Sequence, residues 1–296
     1  MASLVAMLFY RTLSIMPLRA IHGIGALLGL LLYTFRAEPR KLSEINLGLC
    51  FPEMKETDRD RLVRRSLIES SRSFLEMGAF WHMPRRRLEG YIAQETGKEI
   101  LQKATERGEG LILLLPHLGL WEFSTYYFLR FAPFTALYRP LRLPSLHEYV
   151  LAGRQRFGAK LVPTNTFGVR ALYKALQRGE FVTILPDQDP HSRARVFAPF
   201  FGVPAATMIL VGRLARNTGA QVVTAYAERL TGGRGFHLHV ARVSDDIYSE
   251  DDLVSASAMN RALEECVRRN PDQYLWSYKR FKARPEGTGV DLYRKR

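Results

Sequence analysis

Cysteine is nearly absent from the chain: Cys50 and Cys266 stand alone among 296 residues. Two isolated thiols build neither a disulfide framework nor a zinc ribbon, and a chain without that framework suits a reducing compartment. Neither thiol sits at the end of a strand-like run, so no thiolate nucleophile is displayed there. Acidic side chains are the second shortage. Asp and Glu number 29 against 43 Lys and Arg, a formal charge of +14. Such an excess selects anionic partners: nucleic acid, an anionic membrane surface, phosphorylated substrates or an acidic protein. Signature motifs are missing too. There is no G-x-S-x-G elbow of a serine hydrolase, no G-x-x-x-x-G-K-[ST] phosphate loop and no H-E-x-x-H zinc site. Gly23, Gly25 and Gly29 lie in an apolar N-terminal stretch rather than after a strand, so they make no dinucleotide fingerprint. No internal repeat or low-complexity linker interrupts the chain. No uncharged run reaches the roughly 20 residues of an unbroken membrane span.

What is present begins with apolar side chains. They make up 47% of the residues, and the mean hydropathy is −0.14. These values suit a globular protein with extra apolar surface, not a polytopic membrane protein, and the length allows a large core. Residues 1–10 carry no charge. After Arg11 and Arg19, residues 20–35 (AIHGIGALLGLLLYTF) are again uncharged apart from His22, and Arg36, Arg40 and Lys41 follow. Flanking side chains can snorkel to lengthen such a run, and a basic flank places the following domain on the cytoplasmic side. We read the segment as membrane-associated, spanning or re-entrant, in preference to a buried core helix or a cleaved signal peptide. The chain then divides into an N-terminal membrane anchor over 1–38 and one catalytic domain over 39–296.

Strand and helix patterns alternate through that domain. Residues 46–52 read as a turn-rich passage, and Thr57 with Asp60 as a capping box opening a helix to about 82. Arg85, Arg86 and Arg87 form a basic cluster, either a solvated loop or a lipid contact. Thr96 with Glu99 opens a helix ended by Gly108 and Gly110. Strands are expected over 111–115, 134–138, 181–185, 221–228 and 236–243, and helices after His117, from Ser145 to near Gly158, and over 167–178, 206–217 and 255–269. This alternation predicts an α/β fold, a central mainly parallel or mixed sheet flanked by helices, with an N-terminal membrane-anchoring helix.

Two constellations carry chemistry. In LILLLPHLGLWEFSTYYF (111–128) a buried strand stops at Pro116, His117 occupies the corner, and Glu122 falls in the first turns of a helix. A neutral imidazole can take a proton from an alcohol while a carboxylate on its other nitrogen fixes the tautomer. The alternative is a helix-capping histidine with Glu122 pairing an arginine. The second constellation, Asp187-Gln188-Asp189-Pro190-His191, follows another buried strand and precedes Arg193 and Arg195. Its carboxylates fit a D-x-D cation site, arginine positioning for substrate phosphates, or a plain turn. A catalytic His117 without a protein nucleophile would act by direct attack of a substrate hydroxyl.

The sequence resembles the bacterial late acyltransferases of lipid A biosynthesis, within the lysophospholipid acyltransferase superfamily. His117-Leu118-Gly119-Leu120-Trp121-Glu122 matches the H-x-x-x-x-[DE] motif of that superfamily. Further similar passages are 46–52, Tyr138-Arg139-Pro140, the arginine helix with Arg154, Pro186-Asp187-Gln188-Asp189, Phe200-Phe201-Gly202 with Ala206-Thr207, and the tail QYLWSYKRFK (273–282). The tail departs from the pattern at Ser277-Tyr278-Lys279-Arg280, where many relatives have His-Arg-Arg. The resemblance implies a membrane anchor, a catalytic domain on the cytoplasmic face of the bacterial inner membrane, and no cofactor, catalytic metal or nucleic-acid partner. It implies transfer of a fatty acyl chain from an acyl carrier protein thioester to a hydroxyl of an anionic lipid A precursor. It gives His117 as general base, Glu122 as its orienting acid, and Arg154, Asp187, Arg139 and Asp189 as substrate-site residues. Rival readings are an acyltransferase for a glycerophospholipid or ornithine lipid, a metal-dependent glycosyltransferase using Asp187 and Asp189, and a non-enzymatic basic binding protein.

Overall fold

A computed structural model describes residues 2–139, 144–190, 194–286 and 291–293. Its helices in chain order are α1 (Ala2–Ile15), α2 (Leu18–Thr34), α3 (Glu38–Cys50), α4 (Glu56–Phe80), α5 (Arg85–Glu89), α6 (Lys98–Glu106), α7 (Trp121–Phe128), α8 (Pro144–Gln155), α9 (Thr166–Gln177), α10 (Leu210–Thr218) and α11 (Asp252–Arg269). The strands are β1 (Ile92–Thr96), β2 (Leu111–Leu114), β3 (Phe134–Tyr138), β4 (Lys160–Pro163), β5 (Phe181–Ile184), β6 (Arg195–Phe200), β7 (Val203–Met208), β8 (Gln221–Arg229) and β9 (Phe236–Arg242).

Seven strands form one sheet in the order β1-β9-β8-β2-β5-β3-β4. All neighbouring pairs are parallel except β8–β9. The expected α/β architecture with a mixed sheet is therefore present. β2 and β5 lie at the centre and every residue in them is buried. That is why both read as unbroken apolar runs rather than alternating ones. Successive side chains point to opposite faces: Leu111, Leu113 and Leu115 enter the core under α7 and α4, while Ile112 and Leu114 enter the core under α9, α10 and α11. Each such leucine contributes about 1.5–3 kcal/mol by its burial, and the central strands are correspondingly firm supports for whatever follows them.

Several local expectations need correction. Residues 46–50 are the end of helix α3, not a turn. Leu47 and Cys50 are buried, and the Asn46 amide donates to the carbonyls of Trp276 and Tyr278 at 2.6 and 2.7 Å; tertiary contacts outweigh the turn-like composition. Helix α4 starts at Glu56 after Lys55, with no side-chain cap, so Thr57 lies inside its first turn. Thr96 ends β1, and Gly97, at φ +77°, precedes α6. Residues 206–208 pair with 195–197 in a β6–β7 hairpin instead of opening a helix. The reversal at Phe201 and Gly202, both at positive φ, creates that hairpin. Pro140, His191 and Arg193 lie outside the described residues.

The N-terminal helices pack on α4. Gly25 and Gly29 let α2 approach so closely that an added Cβ would fall 2.8 Å from the Arg72 Cα and 2.4 Å from the Ile68 Cα. The opposite side of α2 is bare: Ile24, Leu27, Leu28 and Leu31 are exposed, Leu27 by 60%, and Phe35 continues the stripe at 77%. Among the described residues no single helix is long and apolar enough to cross a membrane; α2 and α3 reach that composition only as a pair bent by 79°. Arg85, Arg86 and Arg87 form the short helix α5.

Candidate active site

The site grows from the carboxyl end of β2. After Leu115 and Pro116 the chain turns, and Gly119 sits at φ +59° with its α-carbon so close to β8 that a Cβ would meet the Ala227 carbonyl oxygen at 2.0 Å. Three elements hold this corner by its backbone. Leu120 N–H donates to the Ala227 carbonyl at 3.0 Å, Gly119 N–H to that of Gln273 at 3.0 Å, and Leu275 N–H to that of His117 at 3.0 Å. Ser73 of α4 donates its hydroxyl to the Gly119 carbonyl at 2.8 Å. Ser73 in turn accepts from the buried Arg229, which forms ion pairs with Glu69 and Glu76. His22 of α2 joins Glu76 at 2.5 Å. A buried charge network thus ties the N-terminal helices to the back of the corner.

His117 is held by Asp187, not by Glu122. Asp187, just past β5, receives the His117 backbone N–H on one carboxylate oxygen at 2.8 Å and the imidazole Nδ1 on the other at 2.7 Å. An acceptor-only carboxylate at Nδ1 assigns the proton there and leaves Nε2 as an unprotonated acceptor. The Gln188 amide nitrogen lies 3.2 Å from that Nε2. Asp187 is 2% exposed. Burial pushes its carboxyl up, but the His117 charge and the two His117 hydrogen bonds, helped by Arg280, hold it below the ordinary carboxylate value. Tyr274 is buried beside it; burial and then the Asp187 charge raise the phenol well above its usual value and keep it protonated. Arg280 is buried too, donating to the Thr207 hydroxyl at 3.1 Å.

Glu122 is where the expected motif and the geometry part. It does fall in the first turn of α7. However, its carboxylate is engaged by Arg154 through two nitrogens, one at 3.1 Å, and by the Trp81 indole N–H at 3.2 Å. Successive helical side chains diverge by about 100°. Trp121 takes the direction facing His117, with ring centroids 5.0 Å apart, and Glu122 is thereby turned away. Arg154 stands over the rings of Tyr138 and Trp81 at 5.4 and 5.7 Å. Arg139 follows β3, one residue beyond that Tyr138, and is exposed. Asp189 is separated in task from Asp187: its backbone N–H donates to the Tyr278 hydroxyl at 3.1 Å and its carboxylate lies 3.4 Å from Arg195. With both Asp187 oxygens occupied by donors, the D-x-D pair is not arranged as a cation chelate.

The tail was legible as a resemblance but not as part of this corner. Its contribution is backbone pairing, Leu118 with Tyr274, which no local sequence pattern announces. Gln188 and Ser73 were likewise not anticipated as neighbours of the site.

A mixed α/β sheet here presents a carboxylate-held imidazole at its strand ends, an arrangement chemically suited to accepting a proton. Among the described residues no hydroxyl or thiol hydrogen-bonds that imidazole; its side-chain partners are Asp187 and Gln188. The particular family follows from comparison. The model of the bacterial lipid A biosynthesis acyltransferases matches residues 1–283, and the chain belongs to that family. It is 31% identical over 273 residues to the lipid A biosynthesis lauroyltransferase of Escherichia coli K12, covering 92% of this chain and 88% of that protein. The palmitoleoyltransferase of the same organism is 28% identical over 273 residues, with the same coverage. Its myristoyltransferase is 28% identical over 257 residues, covering 84% of this chain and 76% of that protein.

Proposed function

We propose that the protein carries out a late, secondary acylation of lipid A: it moves a fatty acyl chain from an acyl carrier protein thioester to a hydroxyl of an anionic lipid A precursor. The observation that carries this reading is the unprotonated Nε2 of an imidazole fixed by Asp187, with the Gln188 amide beside it at 3.2 Å. His117 Nε2 takes the proton of the acceptor hydroxyl as its oxygen forms a bond to the thioester carbonyl carbon. The carbon–sulfur bond then breaks, and the proton on Nε2 passes to the departing thiolate of the carrier. Asp187 keeps Nδ1 protonated and stabilises the imidazolium between the two steps. Glu122 and Arg154 serve the substrate side: the pair forms a polar wall with Trp81 and Tyr138, where Arg154 is available to an anionic or developing negative oxygen. Arg139 and Asp189 belong to the margins of the same site.

The reading places the enzyme at the bacterial inner membrane, with its site on the cytoplasmic face. Two observations support it. The bare apolar stripe of α2 has the composition of a surface immersed in lipid. From exposed Phe74, aromatic contact continues edge-on to Trp121 at 6.4 Å and from Trp121 to His117, an apolar route by which a lipid-borne hydroxyl reaches the base. The +14 charge suits an anionic leaflet, an anionic acceptor and an acidic carrier alike.

The test is incubation of the membrane-bound protein with acyl carrier protein thioesters of several chain lengths and either a tetra-acylated lipid A precursor or a lysophospholipid, read by mass spectrometry. The expected product is the precursor enlarged by one acyl chain and absent with His117→Ala. Acylation of the lysophospholipid alone, or identical behaviour of wild type and His117→Ala, would overturn the proposal.

A further inference from the structure

Away from the transfer site, the antiparallel pair β8–β9 gathers two imidazoles and a carboxylate. Residues opposite one another in such a ladder share a face, as do residues two apart in a strand. Glu228 stands opposite His237, and Tyr226 opposite His239, so the three ionisable side chains converge on one side of the sheet. One donor atom from each lies within 4.8 Å of the other two. His239 Nε2 is 2.8 Å from Glu228 Oε2, and His237 Nδ1 is 3.9 Å from the same oxygen. All three side chains are partly exposed, which leaves an entry path from solvent.

The surroundings fix both rings for ligation. Thr96 of β1 places its hydroxyl 2.7 Å from His237 Nε2. In the tautomer that donates Nε2–H to Thr96, the Nδ1 lone pair faces the Glu228 carboxylate 3.9 Å away, too far for a hydrogen bond. In that tautomer a cation between the two electron-rich atoms would satisfy both. Zinc–nitrogen and zinc–oxygen bonds of about 2.0–2.1 Å imply ligand–ligand separations of about 3.3–3.4 Å in a tetrahedron, which lies between the two distances observed. Tyr226 stacks on His239 with centroids 4.6 Å apart and planes 14° from parallel, holding that ring in place. Thr96, at the non-ligating nitrogen of His237, takes the position of the hydrogen-bond partner that metal-ligating histidines usually have.

We propose that Glu228, His237 and His239 form a binding site for a divalent transition-metal ion of the zinc class, with water completing the coordination. Two imidazoles and one carboxylate select such an ion over magnesium or calcium, which take oxygen ligands. The site is separate from the acyl transfer and does not depend on its details. Its effect is mechanical: the ion joins β8 to β9, and Thr96 extends the connection to β1. Glu228 directly follows Ala227, whose carbonyl holds the catalytic corner at Leu120, so the ion stiffens the strand that backs the site.

The test uses the full-length protein in detergent, stripped with EDTA and dialysed. Zn2+ is titrated calorimetrically, Co2+ is followed by its visible absorption, and Mg2+ serves as the oxygen-ligand control. One Zn2+ per chain is expected, with a Co2+ spectrum of a nitrogen–oxygen site, a melting temperature raised by Zn2+, and no response to Mg2+. His237→Ala and Glu228→Gln should lose the stoichiometric binding while keeping the metal-free melting temperature. Should either fail to fold, Thr96→Val, which keeps a β-branched residue in its strand, should weaken Zn2+ affinity about tenfold. Absence of saturable binding by the wild type, or binding unchanged in these variants, would overturn the proposal.

Discussion

Replacing Asp187 by asparagine is the sharpest probe of the site. Both carboxylate oxygens now accept, one from the His117 backbone N–H and one from Nδ1–H. An asparagine offers one acceptor and one NH2 group, so one donor of His117 must face another donor. With the oxygen kept on the backbone N–H, the ring is driven to the opposite tautomer, Nε2 carries the hydrogen, and the base is lost. With the oxygen kept on Nδ1–H, the backbone N–H is stranded in a buried place and the imidazolium loses its counter-charge. The equivalent change in a serine protease triad lowers kcat about 10⁴-fold, and at 1.36 kcal/mol per factor of ten that is about 5.4 kcal/mol of transition-state stabilisation. We expect a fall of about 10³–10⁴-fold in kcat for Asp187→Asn, at little change in KM, in a discontinuous assay of radiolabelled acyl transfer. The pH dependence of stability gives a second readout. The carboxyl is held below its ordinary value, so its contribution is complete above the usual carboxylate range and is lost as pH falls through the depressed folded value. Urea unfolding should therefore show an acid-side loss of wild-type stability that Asp187→Asn lacks. A variant within about tenfold of wild-type kcat would refute the assignment of Asp187 as the orienting acid.

Other substitutions separate the remaining parts. Glu122→Gln leaves Arg154 without its counter-charge, and breaking such a largely buried pair costs about 3 kcal/mol; a lowered urea midpoint and a raised KM are expected, with a smaller loss of kcat than for Asp187→Asn. Gly119→Ala drives a methyl into the Ala227 carbonyl at a positive φ, and a loss of more than about 4 kcal/mol should appear as poor yield and loss of the cooperative melt. Leu27→Glu with Leu31→Glu removes two leucines from the exposed stripe of α2, at about 1.5–3 kcal/mol each if they are immersed in lipid. Flotation with anionic vesicles should fall more than tenfold while the circular dichroism of the folded protein is kept.

How far the sequence reached can be judged from particular residues. Central strands such as 111–114 and 181–184 were legible because burial on both faces leaves an unmistakable apolar run. Hairpin β6–β7 was not, because Pro199 and Pro204 interrupt both strands and Ala205 and Ala206 favour helix. His117 and Asp187 were each legible as side chains displayed at the ends of buried strands. Their mutual bond was hidden, because the two come from different strands, β2 and β5, and only sheet order makes them neighbours. The motif suggested Glu122 as partner because it is near in sequence, but helical geometry gives the facing direction to Trp121. Proximity along the chain misleads where a helix begins.

The pairing of residues 273–275 with the His117 corner has a consequence in time. Ribosomes deliver His117, then Asp187, and only later the stretch that clasps them, with Tyr274 behind the carboxylate and Leu275 on the His117 carbonyl. By then α1 to α4 have been made, and on the proposed function they could already meet lipid. On the same reading, competence would arrive after placement, and an unfinished chain would carry an unassembled base. Ribosome-stalled chains ending before Gln273 should bind vesicles yet turn over no acyl carrier protein thioester, whereas turnover at the full-length rate would show that the clasp is dispensable.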